Sequence, residues 1–496
     1  MIVDRKLYKE QIPELPDVAG VQEEGKMVAS LGVVDGDALV SLDRETQFHP
    51  FTAIADQQAN GALVMARASG SSITDVTGKT YLDGAAGLWC VNVGYGRVEI
   101  SEAMHRQSLE LPYFHSFNTV ANEPSIRLSD RLLKLAPSGM QRVFYGLSGS
   151  DANDTAVKML WSYNMLRGKP LKRKIISRAY AYHGVTAAAG SLSGIPMVHQ
   201  NFGLPLDFAR HVSRPDLYRD ASARGCATEE AYSAFLAREL EQAILAEGAD
   251  TVAGFIAEPV MGTGGVLPPP KGYFAAIVKV LEKHDVRLVA DEVITGFGRV
   301  GAWFASDLYD IEPDLIIAAK GLTSGYLPLS AVLVGERIWS VFEEASRDGR
   351  PFAHGFTYSG HPTCAAAALA NLDIIEREKL IERVAAMAPS FGARFAETLS
   401  NLRLVGDVRS AGFMMGVELV ADRATKAAFP AALKVAGRVA LSARRRGVLV
   451  RALPNSDVIA LSPPFVVTEA ELSRLAETLR DAIDEVTADL IREGHL

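Results

Sequence analysis

Cysteine is scarce in this sequence: Cys90, Cys226 and Cys364 are the three in 496 residues, and their spacing suits no metal. An odd, sparse set in so long a chain excludes a disulfide framework and fits free thiols in a reducing compartment. No apolar stretch is long enough to span a bilayer. The opening segment MIVDRKLYKEQIPELPDV carries charges throughout and has no apolar centre, so it does not read as a secretory signal, and a cytoplasmic protein is expected. Positive charge is not in excess. The net charge of −8 argues against a nucleic-acid surface and leaves room only for a local basic patch. Internal repeats, low-complexity tracts and long flexible linkers are missing. So is the G-x-G-x-x-G fingerprint that closes the first strand of a nicotinamide-binding unit, which counts against a dehydrogenase.

What is present is an ordinary globular composition, 48% apolar and 22% charged, in a chain long enough for at least two packed units. Within it, Lys320 ends the run PDLIIAAK, 29 positions after the Asp291 of RLVADEV. Two apolar strands, 287–293 and 313–319, thus each deliver one ionisable side chain at the carboxyl end, as an open parallel sheet does. Taken singly, Lys320 could cap a strand end and Asp291 a turn. Together they make a reaction centre: burial lowers the pKa of an amine and leaves it able to attack a carbonyl and form a Schiff base. Pyridoxal phosphate needs such a link, and an acidic partner for its pyridine nitrogen.

Strand-like runs alternate with helical stretches from about residue 100 to 335: RVFYG at 142–146, a helix from Asp151, RKIISR at 173–178 and VAGFIAEPV at 252–260. This pattern predicts a parallel sheet covered on both faces. Upstream, residues 1 to about 48 read as an arm able to pack across a partner subunit, and Gly61–Asp83 as a small β-meander. Downstream, an Ala-rich helix from Thr363 leads to further strands (LVGDV, MMGVELV, GVLVRAL, VIALSPP) and a final amphipathic helix from Thr468, a smaller α/β unit. The expected divisions are 1–75, an arm and part of the small domain; 76–365, the large cofactor domain; and 366–496, the rest of the small domain.

LSGSDANDT places a Ser-Gly-Ser turn between a strand and a helix, where backbone N–H groups can cradle a phosphate, with Gly149 and Ser150 as the cradle. Tyr182 in AYHGVT can stack on an aromatic ring, Gly184 lets the backbone approach a ligand, and Val293 offers an apolar contact to the other ring face. HGFTYSGHP at 354–362 can add the Thr357 hydroxyl to a phosphate site.

These runs, with FHPFT (48–52), DGAAGLWCVNVGYGR (83–97), EPVMGTGGV (258–266) and VRALPNSDVIALSPP (450–464), resemble the class III aminotransferases of pyridoxal-phosphate fold type I, in particular the ω-amine:pyruvate transaminase branch. The likeness spans roughly nine-tenths of the chain, in the family's order. It implies an α/β fold whose large domain has a mainly parallel seven-stranded sheet, with a smaller α/β domain built from the amino- and carboxyl-terminal segments. It implies Lys320 as the Schiff-base lysine and proton shuttle, Asp291 on the pyridine nitrogen, Ser148, Gly149 and Ser150 on the phosphate, and Tyr182, His183, Gly184, Glu258 and Val293 around the cofactor. Phe356 and Thr357 would reach in from a neighbouring subunit, making a homodimer, or a tetramer of paired dimers. Substrate pockets would be lined by Phe51, Leu88, Trp89, Phe117, Tyr182, Thr263 and Arg451. Arg451 resembles a mobile arginine that binds a keto-acid carboxylate, with Glu258 as its resting partner. Asp151 stands where many relatives carry glutamate, a mild change because both favour a helix start. The implied reaction moves an amino group from a primary amine to a keto acid, pyruvate, by ping-pong kinetics. The competing readings are an aminomutase, a decarboxylating transaminase, an enzyme for diamines, β-alanine, taurine or GABA, 2-oxoglutarate as acceptor, and a silent binding protein, which would be expected to lose the lysine.

Overall fold

The computed structural model describes residues 36–454 and 457–496. Most of the expected amino-terminal arm therefore lies outside the described residues. The chain divides into two compact units: the described residues up to Ala66 with Thr74–Lys79, and Arg67–Ile73 with Thr80–Leu496. In the first unit the helices Gly36–Thr46 and Ile54–Asn60 are tied at Asp43, which accepts from Gln57 Nε2 at 3.1 Å and meets His49 Nε2 at 2.7 Å. Short strands Met65–Ser69, Ser72–Asp75 and Thr80–Asp83 stand where the meander is expected.

The second unit is organised on seven strands: β1 (Met140–Gly146), β2 (Lys174–Arg178), β3 (Ala209–Val212), β4 (Val252–Ala257), β5 (Arg287–Asp291), β6 (Leu315–Ala318) and β7 (Ser330–Gly335). Their order across the sheet is β1-β7-β6-β5-β4-β2-β3. β7 runs antiparallel to both its neighbours, and the pairings from β6 through β3 are parallel. Every residue of β4, β5, β6 and β7 is buried, which is why these segments read as continuous apolar runs rather than alternating ones. Helix α1 (Gly149–Leu166) lies on this sheet through Ala152, Ala156, Leu160 and Tyr163, whose three- and four-residue spacing makes one apolar stripe packed with Ile256, Val289 and Ile317. A Cβ on Gly254 would come within 2.7 Å of the Leu160 side chain, so glycine in β4 lets the helix close. Burying a side chain such as Leu160 stabilises the layer by about 1.5–3 kcal/mol.

The Ala-rich run forms one helix, α2 (Pro362–Arg377), and a further helix that sequence reading did not foresee, α3 (Leu380–Leu399), follows it before the next strands. Lys379 separates the two in the left-handed region at φ 51°, a break that no glycine or proline announces. Beyond lies a four-stranded antiparallel sheet, β8 (Val405–Ala411), β9 (Met414–Leu419), β10 (Arg451–Ala452) and β11 (Val458–Leu461), in the order β8-β9-β11-β10. Helix α4 (Glu469–Arg492) closes the chain, its start fixed by a capping box between Thr468 and Glu471. One apolar cluster runs from Ala290 and Ile316 of the large sheet through Phe391 and Phe413 to Leu461 and Leu479, so both sheets share a core. Among the described residues no helix is long and apolar enough to cross a membrane.

Candidate active site

Asp291 ends β5 and pairs in register with Ile317, so Lys320 emerges three residues further along the neighbouring strand's path. The strands β5 and β6 are parallel, which brings both side chains to the same edge of the sheet. They line one cavity of about 470 Å³, together with the start of α1, the turn after β2 and Glu258 after β4.

The start of α1 borders the cavity. Ser148 Oγ accepts from Asp151 N at 3.3 Å and Asp151 Oδ1 accepts from Ser148 N at 3.0 Å, a reciprocal cap. Asp151 Oδ2 accepts from Leu147 N at 2.8 Å, so this carboxylate is occupied by its own backbone. The N–H groups of Gly149 and Ser150 begin the helix with no partner inside it, at the positive end of the dipole. Val293 packs here: a Cβ on Gly149 would sit 3.1 Å from its side chain. Gly184, at φ 127°, comes against Ser150 so closely that a Cβ would lie 2.8 Å from Ser150 Cα. Gly184→Ala combines that overlap with an unfavourable backbone, and a loss of about 2–4 kcal/mol is expected. Thermal unfolding of the variant, with the fraction of cofactor retained on gel filtration, checks it.

Asp291, 3% exposed, is the most heavily bonded carboxylate of the cavity. Its Oδ2 meets His183 Nδ1 at 2.8 Å and Asn153 Nδ2 at 3.0 Å, and its Oδ1 accepts from Val293 N at 3.1 Å. Burial raises its carboxyl pKa, but the His183 and Asn153 contacts and the Val293 N–H outweigh burial and hold it below the usual carboxylate range. Lys320, half-buried in the wall at φ 41°, goes the other way: burial pushes its amine down, against the pull of Cys90 and Asp291. Glu258 is raised by burial. Its Oε1 accepts from Tyr182 N at 3.2 Å and its Oε2 from Gly262 N at 2.7 Å, so it fastens two turns of the wall to each other. No ion pair joins it to Arg451 among the described residues, and the resting partnership expected for those two is not formed. Arg451 instead lies within electrostatic reach of Tyr182 and Cys90.

A scan of family models matches residues 53–483 to the class-III aminotransferases. The chain belongs to that family. Two relatives similar to this aminotransferase are an uncharacterised aminotransferase of Sinorhizobium fredii, 47% identical over 91% of this chain and 97% of its own, and the diaminobutyrate–2-oxoglutarate transaminase of Halomonas elongata, 44% identical over 92% and 98%. A probable γ-aminobutyrate transaminase of rice is 41% identical over 90% of this chain and 86% of its own. Among solved structures, a transaminase from ancestral reconstruction superposes with a TM-score of 0.90 at 48% identity over 92% of this chain and all of its own. The ω-transaminase of Pseudomonas jessenii in complex with PMP gives 0.87 at 40% identity over 91% and 98%.

The aminotransferase uses pyridoxal phosphate, and the cavity's own chemistry suits it. Unpaired N–H groups at a helix start suit a phosphate, a buried ionised carboxylate suits a cationic ring nitrogen, and a depressed amine suits an aldehyde. Two buried polar atoms of cavity-lining residues, Asn153 Oδ1 and His183 Nε2, have no partner among the described residues.

The sequence-predicted residues do not all meet at the cavity. Leu88, Tyr182 and His183 join Lys320, Asp291, Glu258, Val293, Gly184 and the 148–150 turn at the cavity wall. Trp89 is 2% exposed and packed with Val260, Ile294 and Leu453, behind the wall rather than in it. Thr263 is also buried, in the turn held by Glu258. Phe117, Phe356 and Thr357 gather on a separate face: the Phe117 ring lies 3.1 Å from the Cβ position of Gly355, and Tyr113 donates to Thr357 O at 2.9 Å. Phe51 belongs to the first unit, where it is 61% exposed. The cavity also takes Cys90, Asn153, Ile294 and Leu327, which sequence reasoning missed. Cys90 follows Trp89 in the quoted GLWCVNVG run and could have been found there; Asn153 carried no local signal.

Proposed function

We propose that this class III aminotransferase transfers an amino group from a primary amine to pyruvate in two alternating half-reactions. The observation that carries the reading is the single cavity in which a depressed amine, Lys320, and an ionised buried carboxylate, Asp291, stand at the ends of adjacent parallel strands. Bound pyridoxal phosphate supplies an electrophilic carbon and a cationic ring that draws electron density from the substrate carbon. Asp291 holds the compensating negative charge at the inner end of the cavity. Lys320 Nζ, its pKa lowered by burial, would hold the cofactor through that electrophilic carbon and, when a substrate amine displaces it, would take the proton from the amine-bearing carbon and return it. Gly149 and Ser150 hold the phosphate through backbone N–H groups, and Glu258 fixes Tyr182 against one wall through its backbone. Leu88, Val260, Ile294 and Leu327 keep the remaining lining apolar, which favours an amine with an uncharged or distant polar end. Arg451 turns in to pair with the keto-acid carboxylate and turns away when an amine enters.

Arg451→Ala is expected to raise KM for the keto acid about thirtyfold or more, the loss of a two-pronged charge-assisted contact, while the amine half-reaction keeps its rate. Steady-state kinetics with each substrate varied separately decides it. The 2-oxoglutarate-using relative gives a second acceptor to run beside pyruvate. The reading as a whole is tested by the visible absorbance of the purified protein, which should bleach with a simple primary amine and return with pyruvate. A return with 2-oxoglutarate alone would replace the acceptor, and a protein colourless after reconstitution would overturn the assignment.

The working unit is a homodimer. Tyr113, Phe114, Phe117 and Tyr358 are each more than a third exposed, and Tyr113 and Tyr358 meet edge-on with centroids 5.6 Å apart. Such an aromatic face, bearing Phe356 and Thr357 and separate from this chain's own cavity, fits a role in completing a second copy's site. Sedimentation equilibrium giving a monomer at micromolar concentration would refute it.

A further inference from the structure

Asn153 sits in the second turn of α1, 1% exposed, and 138 positions from Asp291 in sequence. Its side-chain nitrogen has two hydrogens, and both are used: one goes to His183 O at 2.7 Å, the other to Asp291 Oδ2 at 3.0 Å. Its Oδ1 is buried with no partner among the described residues. A buried amide that leaves its acceptor unpaired in a helix interior costs stability, and an alanine there would avoid the cost. The position is therefore explained by what the Nδ2 group does.

A carboxylate oxygen has two lone-pair directions. Asp291 Oδ2 meets two donors, His183 Nδ1 and Asn153 Nδ2, and is saturated; among the described residues Oδ1 accepts only from Val293 N, which leaves one direction free. The same Asn153 nitrogen ties this carboxylate to His183, the residue next to Tyr182 in the wall. We propose that Asn153 is a positioning residue of the reaction: by saturating Asp291 Oδ2 and holding His183 O, it fixes the carboxylate plane so that Oδ1 is the oxygen presented to the ring nitrogen. This rests on Asp291 being the partner of that nitrogen. It adds a residue with no role in the motif reading, and it separates the two oxygens of one carboxylate by task.

A helix-to-turn tie through His183 O alone would give the same hydrogen bond without any effect on the chemistry, so the test is a double-mutant cycle: wild type, Asn153→Ala, Asp291→Asn and the double variant. Each is reconstituted with pyridoxal phosphate and read by the visible absorbance maximum, the dissociation constant of pyridoxal phosphate from the apoprotein, and the single-turnover rate with a primary amine. Asn153→Ala is expected to move the absorbance maximum in the same direction as Asp291→Asn but by less, and to slow the single turnover about tenfold, equal to about 1.4 kcal/mol. In the Asp291→Asn background the same change should alter the rate less than about twofold. Equal losses in both backgrounds would reduce Asn153 to a structural tie and overturn the proposal, as would no effect in the wild-type background. If Asp291→Asn itself leaves band and rate unchanged, the assignment of Asp291 fails and the proposal falls with it, a result distinct from the other two. Should Asn153→Ala not fold, Asn153→Ser, which keeps one donor, is read in the same cycle.

Discussion

Lys320→Ala is expected to reduce amine-to-keto-acid turnover more than about a thousandfold, since it removes both the attacking amine and the proton carrier. The variant should still take up pyridoxal phosphate, because the helix-start N–H groups and Asp291 are untouched, but its visible band should not cycle with amine and pyruvate. The effect on stability has a defined sign. Burial lowers the amine's pKa in the folded protein, so the folded state binds fewer protons than the unfolded one. The charged amine therefore costs stability in full below its folded value, and the cost disappears as pH rises through the unfolded value of about 10.4. Removing the amine relieves that cost at neutral pH and offsets part of the lost packing. The apoprotein variant is expected to melt within about 3 °C of wild type at pH 7, with the difference moving in favour of wild type toward pH 10. Calorimetry of the two apoproteins across that range measures it. A variant that turns over at more than a hundredth of the wild-type rate would remove Lys320 from the chemistry.

Asp291→Asn is expected to cost about a hundredfold or more in the amine half-reaction, the scale of losing one aimed charge in a water-poor site. The replacement amide also turns a donor toward the groups that now donate to Asp291, His183 Nδ1 or Asn153 Nδ2. Here too the pH dependence has a sign. The folded pKa lies below the unfolded one, so the carboxylate's contribution is fully present above about pH 3.9 and is lost as pH falls through the folded value beneath it. Acid unfolding of the apoprotein should accordingly lose part of its steepness in the variant. Single-turnover rates and an acid titration of the apoproteins check the two halves. A half-reaction within threefold of wild type would show that the charge is not used.

Much of the fold was readable because the central strands are buried on both faces and so appear as unbroken apolar runs that lead to Asp291 and Lys320. RLVAD and LIIA need no distant contact to be recognised. The turn before α1 was readable for a local reason as well: Ser148 and Asp151 cap it within four residues of chain. The break at Lys379 was not, since nothing in IEREKLIE differs in propensity from a continuous helix; α3 begins there and packs Phe391 against both Phe395 and Phe413.

By itself the sequence determined that two apolar strands deliver Lys320 and Asp291 at their carboxyl ends, because strand period and capping act over a few residues. The tertiary structure decided what those groups experience. His183, Asn153 and Val293 converge on one carboxylate from three segments, and Glu258 spends its two oxygens on the backbone at Tyr182 and Gly262 rather than on Arg451. Trp89 lies behind the wall, and Cys90 in it. Such contacts follow from how the sheet twists and how closely α1 closes over Gly254. No local pattern encodes the longest of them, since Asp291 lies 108 positions from His183 and 138 from Asn153, and their energy is gained only when those segments are packed together.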